Sequence, residues 1–366
     1  MNKPQIKFPR KDSKQFFRTL NSRVNAYFKD NNIKRTGNWQ LWLKTIVMFS
    51  IFLIPYFLIL TLDMPGWLQL LFTIVMGVGM AGVGMNVMHD GNHGSFSSKT
   101  WVNNLMGSSI YILAGNVYNW KVQHNVLHHT YTNVHGHDED LDAGRILRFT
   151  KHAQWKWYHK FQHYYSLLLY GLLTINWAIT TDFLQMKRYM KRRLAYGKIP
   201  SATKNWSTLV ISKLIYLSMW IVIPMLLLDM AWWKILLGFF IMHYTAGLIL
   251  SVIFQLAHVM DDAEMPIPDN NGTLKNTWAI HQLKTTINFS PKNKLINWFT
   301  GGLNHQVEHH IFPNISHIHY GKIAHIVKKT AQEFNLPYNE YKTTRKAIIA
   351  HFRYLKLMGM KPALNA

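Results

Sequence analysis

Two long uncharged apolar runs open the membrane-length part of the chain. Residues 45–62, TIVMFSIFLIPYFLILTL, carry no charge over 18 positions, and 67–88, WLQLLFTIVMGVGMAGVGMNVM, none over 22. Each approaches the ~20 apolar residues that cross a bilayer as a helix. Only DMPG separates them, so they form one tight antiparallel hairpin. Residues 207–229 and 232–257 repeat the arrangement, turning near DMAW. Both hairpin turns therefore lie on one side of the membrane.

The charged positions between the apolar runs orient this scaffold. Residues 1–44 hold eleven Lys/Arg against two acids, and 185–206 hold seven against none. Basic flanks stay in the cytoplasm, so both termini and the segment between the hairpins are expected there. Lys234 is the exception at the outer end, and Lys213 is expected to snorkel to the inner interface. Residues 163–186 are apolar enough for a fifth span. An odd number of crossings would, however, separate 185–206 from the later cytoplasmic segments, and Asn176, Thr180, Thr181 and Asp182 interrupt the run. The segment reads as a helix lying in the interface, and the weaker run 105–118 as a re-entrant or interfacial helix. Phe16, Phe17, Leu20, Val24, Tyr27 and Phe28 recur at helical spacing. They fit equally a helix on the membrane surface or one packed on a cytoplasmic cap.

The predicted fold is all-α and integral to the membrane: four transmembrane helices in two hairpins, with a cytoplasmic helical cap. It is read as one domain over 1–366: an interfacial segment 1–44, hairpins 45–88 and 207–257, and cap segments 89–206 and 258–366. The net charge of +23 raises the question of nucleic acid. Basic residues beside apolar spans, without a finger or Gly/Arg tract, point instead to anionic lipid headgroups, and no nucleic-acid partner is expected. The charged N-terminus lacks the early apolar stretch of a signal peptide. With no cysteine, thiolate metal sites, disulfides and Cys nucleophiles are excluded.

Histidine is the residue that changes the picture, with 20 in the chain. HDGNH places His89 and His93 at the cytoplasmic end of the second span, four residues apart and so on one helix face. HNVLHH supplies His124, His128 and His129. His258 ends the fourth span, and NHQVEHH supplies His305, His309 and His310. All four clusters meet the same face of the membrane. Imidazole ligates iron, zinc and copper. Nine rings are more than one ion uses, whereas a structural zinc takes four ligands; a site of two metal ions fits the number. The expected metal and catalytic set is His89, His93, His124, His128, His129, His258, His305, His309 and His310.

The segments HDGNH, HNVLHH and HQVEHH, with this order, spacing and topology, resemble the three histidine boxes of the integral-membrane fatty acid desaturases over roughly residues 40–330. The tails HHTYTNV and GGLNHQVEHHIFP are similar to a bacterial acyl-lipid and acyl-CoA branch related to front-end desaturases, in which Gln commonly replaces the first His of the third box. Gln306 stands at that place with His305 just before it, so both H-x3-HH and Q-x2-HH are present; the His305 reading is the one carried in the expected set. The resemblance implies two iron ions, O2 as co-substrate and removal of two hydrogens from a lipid- or CoA-linked fatty acyl chain. No haem motif of a fused cytochrome b5 domain is present, so electrons are expected from an external donor of ferredoxin or cytochrome b5 type. A hydroxylase or alkane-monooxygenase outcome shares the same hydrogen abstraction. A metal transporter would place its ligands near the bilayer midplane, not at span ends.

Asp90, Asn125 and Glu308 lie inside the boxes and are candidates to hydrogen-bond a ligand ring's second nitrogen. His281 is read as structural, with support of a ligand ring or lining of the acyl path as its alternative, and His317 and His319 as structural with contact to the centre as theirs; His152, His159, His163, His243, His325 and His351 are read as structural. His135 and His137 precede the acidic run Asp138, Glu139, Asp140 and Asp142. That run reads as a solvated loop, with docking of a basic electron donor as its functional alternative.

Overall fold

The computed structural model describes residues 6–9, 15–141, 144–198 and 201–362. They are almost entirely helical; the described strands are two-residue segments, Asn288–Phe289 and Glu340–Tyr341, paired in parallel. The chain divides into two compact units. One comprises Gly37–Val122 and Leu167–Val252, the other Met1–Thr36, Gln123–Ser166 and Ile253–Ala366.

The first unit carries the apolar helices. Four helices are long and apolar enough to cross a membrane: Trp39–Thr61, Gly66–His93, Ala202–Leu227 and Trp232–His258, the last continuing into the second unit. These are the four expected from the hydrophobic runs. Two of them begin on a side-chain cap: the Asn38 side chain accepts from Gln40 N–H (2.9 Å) and that of Ser201 from Lys204 N–H (3.1 Å), satisfying orphan donors at the first turn. Their outward faces are apolar, with Ile46, Phe57, Leu214, Ile215 and Leu226 exposed, as hydrocarbon surroundings favour. The apolar stretch read as interfacial is broken. Helices Trp157–Gly171 and Leu173–Arg192 meet at 58°, and only if this bent pair counted as one span would the number rise to five.

The 105–118 run is likewise broken. Helix Thr100–Gly107 tightens into a 3-10 turn, Ser108–Leu113, and stops at Ala114, whose φ is +67°. Its approach to the end of the second span requires glycine. A Cβ on Gly91 would lie 2.4 Å from Gly107 N, and the Asn92 amide donates to Gly107 O across the same contact (3.1 Å).

Lys213 does not snorkel. Its ammonium is buried and donates to Asp182 Oδ2 (2.7 Å), Trp177 O (2.8 Å) and Ala114 O. Asn119 supplies Asp182 with a further hydrogen bond at Oδ1 (3.0 Å). The reason is energetic: a buried ammonium is tolerated when a charge and carbonyls satisfy it, and here it ties the Ala114 turn, the bent helix and the third span together. Asp182, expected to mark an interfacial face, is buried as the other half of this pair.

The second unit is built around the N-terminal helix Phe16–Asp30. Phe16, Leu20, Val24 and Phe28 are buried at four-residue spacing. They pack on Leu283, Val307, Ile311, Phe312, Ile323 and Val327, from helices Trp278–Thr285, Gln306–Ile311 and Tyr320–Glu333 and the segment that follows Ile311. Of the two readings of this stripe, packing within the cap holds. Each such side chain contributes about 1.5–3 kcal/mol of burial, and the stripe fixes the helix that carries the last two box-three histidines.

Replacing Lys213 by Met leaves Asp182 buried without its cation. The expected cost is about 3–5 kcal/mol, read as a lowered thermal denaturation midpoint in detergent micelles. The double substitution Lys213→Met with Asp182→Asn is expected to recover most of that loss.

Candidate metal centre

The second box occupies an unusual helical turn. Residues Lys121–His128 form a π-helix before His129–Tyr131 resumes α-helical geometry. With i→i+5 hydrogen bonds the turn is wider than in an α-helix, so positions i, i+4 and i+5 share a face. That is the spacing of His124, His128 and His129. Their ring centroids lie 5.2 Å (His124–His128), 4.8 Å (His124–His129) and 5.7 Å (His128–His129) apart. His258 ends its span, and His309 and His310 sit on the short helix Gln306–Ile311.

The six rings approach one another in overlapping groups, with His129, His309 and His310 forming one of them. His129 Nε2 lies 3.3 Å from His124 Nε2 and 3.0 Å from His309 Nε2. His128, His258 and His310 also present ligand atoms within 4.8 Å of one another. All six are buried, His128, His258, His309 and His310 completely.

The outward nitrogens explain this orientation. His124 Nδ1 donates to Asp140 Oδ2 (2.8 Å), His128 Nδ1 to Asp138 Oδ2 (2.9 Å) and His310 Nδ1 to Gln282 Oε1 (2.9 Å), while His309 Nδ1 shares a hydrogen bond with the Tyr320 hydroxyl (3.1 Å). With Nδ1 as donor, Nε2 of each such ring carries the lone pair and faces inward. His128 Nε2 is buried with no hydrogen-bond partner. Inward nitrogens gathered at 3.0–3.3 Å, with His128 Nε2 unpartnered beside them, are arranged as a cation would require. The residues present fit a metal on that ground. The donor set is nitrogen-rich, which suits a borderline first-row ion rather than calcium or magnesium.

The titration of the second-box rings follows their partners. Burial lowers the His124 pKa, and this outweighs the help of Asp140. For His128, burial pulls down as well, but the charge and hydrogen bond of Asp138, joined by Asp140 at 3.9 Å, hold it above the usual imidazole value. Burial works against ionised Asp140 too, yet the hydrogen bond from His124 and the two nearby imidazoles keep its carboxyl below the usual range.

The remaining expected residues are placed as follows. His89 and His93 stand side by side at the end of the second span, ring centroids 4.6 Å apart, each within 6 Å of the Trp120 ring (5.7 and 5.6 Å). A π-helical turn, Gly84–Met88, immediately precedes them. His305 belongs to none of the ligand-capable groups among the described residues. Its Nδ1 lies 3.6 Å from Glu308 Oε2 and its Nε2 points toward Gly321. Gln306, one residue on, brings its amide 2.9 Å from His258 Nε2; which amide atom faces the ring is an assignment, since the two orientations differ only by a flip.

Of the three box residues proposed to support ligand rings, Glu308 is occupied by Asn288 and the Tyr338 hydroxyl, both at 2.8 Å. Asp90 is buried as an electrostatic neighbour of Lys44. The supporting carboxylates are Asp138 and Asp140, in the run read as a solvated loop. That reading fails for Asp138, which is 3 % exposed; Asp142 lies outside the described residues. The signal was available: a ring aimed at a metal needs an acceptor behind it, and three acids, Asp138, Glu139 and Asp140, follow the second box within about a dozen residues. Tyr320, Gln282 and Thr132 carried no such signal. His281 packs on Phe8 and His319 on Phe28. His243 lies between Tyr216 and Thr174, and His351 bonds Val259 O (2.8 Å). None of these joins a ligand-capable group.

Residues 65–342 match the model of the family described as Fatty acid desaturase. The chain is 38% identical to the sn-1 linoleoyl-lipid 6-desaturase of Arthrospira platensis over 352 residues, covering 96% of this chain and 94% of that protein. It is 34% identical to the sn-1 linoleoyl-lipid 6-desaturase of Synechocystis sp. (97% and 98% covered). It is 32% identical to the Acyl-lipid (8-3)-desaturase of Physcomitrium patens (98% and 74% covered).

Burial holds the His351 pKa down to about 4, below the ~6.5 of an unfolded imidazole. A depressed folded value means that stability present above pH ~6.5 is lost as pH falls toward 4, by about 3 kcal/mol at most. His351→Gln is expected to flatten that acid limb, measured as denaturation midpoints across a pH series.

Proposed function

The chain belongs to the fatty acid desaturase family, and from that premise we propose that it is a front-end-type acyl-lipid desaturase with a two-iron histidine centre. The supporting observation is the convergence of His124 and His309 on His129 Nε2 and of His128, His258 and His310 on one another, with Nδ1 partners beside four of these rings. In this reading His89 and His93 join the ligands on the strength of their box spacing. Gln306 rather than His305 serves the third box, because its amide lies beside His258. Iron with O2 supplies the oxidising power that removes two hydrogens from an unactivated acyl chain; the reducing electrons come from an external ferredoxin- or cytochrome b5-type donor.

The protein's own part is positioning and exclusion of water. The buried rings are held by Asp138, Asp140, Tyr320 and Gln282, so no solvent reorganisation accompanies the chemistry. The acyl chain approaches from the bilayer beside the apolar spans, and its polar head stays at the basic cytoplasmic surface. Lys187, Arg188, Lys191, Arg192 and Arg193 are exposed at the end of helix Leu173–Arg192 and just beyond it, where they offer a grip for the head. Gripping the head fixes the reacting carbons by distance from the carboxyl end. The two cyanobacterial relatives are named for a linoleoyl chain and position 6, and we extend that substrate class to this chain.

Expression in a host lacking the activity, with mass spectrometry of lipid-derived acyl chains, tests the reading. His128→Ala, His129→Ala, His309→Ala and His310→Ala should each abolish the new double bond while the protein remains in the membrane. Gln306→Ala is expected to be more severe than His305→Ala; the reverse order would return the ligand role to His305. With acyl chains of increasing length, the new bond should keep a constant distance from the carboxyl carbon. A bond constant from the methyl end refutes head-group counting alone, and hydroxylated product refutes the desaturase assignment.

A further inference from the structure

One short loop supports both histidine sets. Thr132 Oγ1 lies within hydrogen-bond distance of His128 O (2.7 Å), Gln282 Oε1 (2.8 Å) and His310 Nδ1 (3.2 Å). Asn133 adopts a left-handed backbone (φ +60°), which turns its amide toward three carbonyls: His258 O and Glu264 O at 3.1 Å and Thr285 O at 3.2 Å. The backbone then closes on Asp138. Its Oδ2 accepts from Asn133 N–H (2.8 Å) and its Oδ1 from Asp140 N–H (3.1 Å), and both oxygens lie within 3.0 Å of His128 Nδ1. Asp140 holds His124 in the same manner, its Oδ1 accepting from Gln123.

The two carboxylates are not equivalent. Asp138 serves His128, a member of the His128/His258/His310 set. Asp140 serves His124, a member of the other set. The rings backed by Tyr320 and Gln282 have neutral partners, so each set contains one ring with an anionic partner. An anion behind an imidazole makes its inward nitrogen a stronger donor and fixes its tautomer, and loss of such a partner costs about 10–100-fold in metal affinity. Asp140 could instead ligate an ion together with His124 and His128. Its 2.8 Å hydrogen bond to His124 Nδ1 places it behind the ring and favours the supporting role.

We propose that Asp138 and Asp140 are positioning residues that divide the centre between them, Asp138 setting metal affinity at the His128/His258/His310 position and Asp140 at the His124/His129/His309 position. The inference rests on the two-metal reading above. It is tested on the full-length purified protein by anaerobic titration with Fe(II), and with Co(II) as a spectroscopic probe, reading equivalents bound and the visible absorption of bound cobalt. Asp138→Asn and Asp140→Asn should each weaken one of two equivalents by about 10–100-fold and leave the other unchanged. Adding His258→Ala to Asp138→Asn should abolish the already weakened equivalent and leave the other at wild-type affinity, whereas adding it to Asp140→Asn should abolish one equivalent and leave the other weakened. Asp138→Glu should restore part of the affinity. Thermal denaturation of the metal-free variants checks that each is folded; a variant that does not fold is replaced in the titration by its Glu counterpart, which should bind more weakly than wild type at the same position. Wild-type affinity at both positions in folded Asp138→Asn, or loss of both ions equally from either variant, overturns the proposal. Wild-type protein that takes up neither Fe(II) nor Co(II) overturns the metal centre itself, a result distinguishable from either.

Discussion

The structure depends on keeping several neutral imidazoles face to face in a dry interior. Left alone, such rings would rotate to find hydrogen-bond partners or take up protons and repel one another. Four of them are held by a specific partner at the far nitrogen: Asp140 for His124, Asp138 for His128, Tyr320 for His309 and Gln282 for His310. These partners are themselves buried or bonded, so the orientation of the four rings is set before any ion arrives. The cost of burying two carboxylates beside the site is offset by backbone N–H groups and imidazole protons that satisfy their oxygens.

The two compact units answer this demand in different ways. In the unit of apolar helices, burial of charge is rare and each instance is paired, as with Lys213 and Asp182. Glycine at 91 and 107 permits a helix approach that any side chain would block. In the other unit, the Phe16–Asp30 helix supplies an apolar stripe that clamps the helices bearing His309, His310, Tyr320 and Gln282. The N-terminal segment is thus part of what holds four site residues, although it carries none of the chemistry.

Membership in the desaturase family accounts for the histidines but not for how this chain orients them. The π-helical turn at Lys121–His128 makes H-x3-HH useful, because an α-helix would rotate His124 away from His129. The loop that follows returns immediately to support the rings just placed. Histidine ring and supporting acid are therefore neighbours in sequence, and the second box with its acidic sequel behaves as one structural element.

The four apolar helices and their pairing into hairpins were legible in the sequence, because length and absence of charge are local properties that a bilayer reads directly. The close approach of His124, His128, His129, His258, His309 and His310 was anticipated by their clustering, whereas His305 joins no ligand-capable group among the described residues. What the sequence could not decide were contacts between residues distant along the chain. Whether His305 or Gln306 turns toward His258 depends on the backbone entering helix Gln306–Ile311, and either spacing was acceptable. Lys213 looked like a snorkelling lysine until Asp182, 31 residues earlier, was seen to meet it. Asp138 and Asp140 looked like solvated loop acids because periodicity says nothing about which ring a carboxylate faces. Hydrogen bonds of this kind are specified only once the tertiary fold brings donor and acceptor within about 3 Å. The local pattern determined which elements exist, and packing determined what their side chains do.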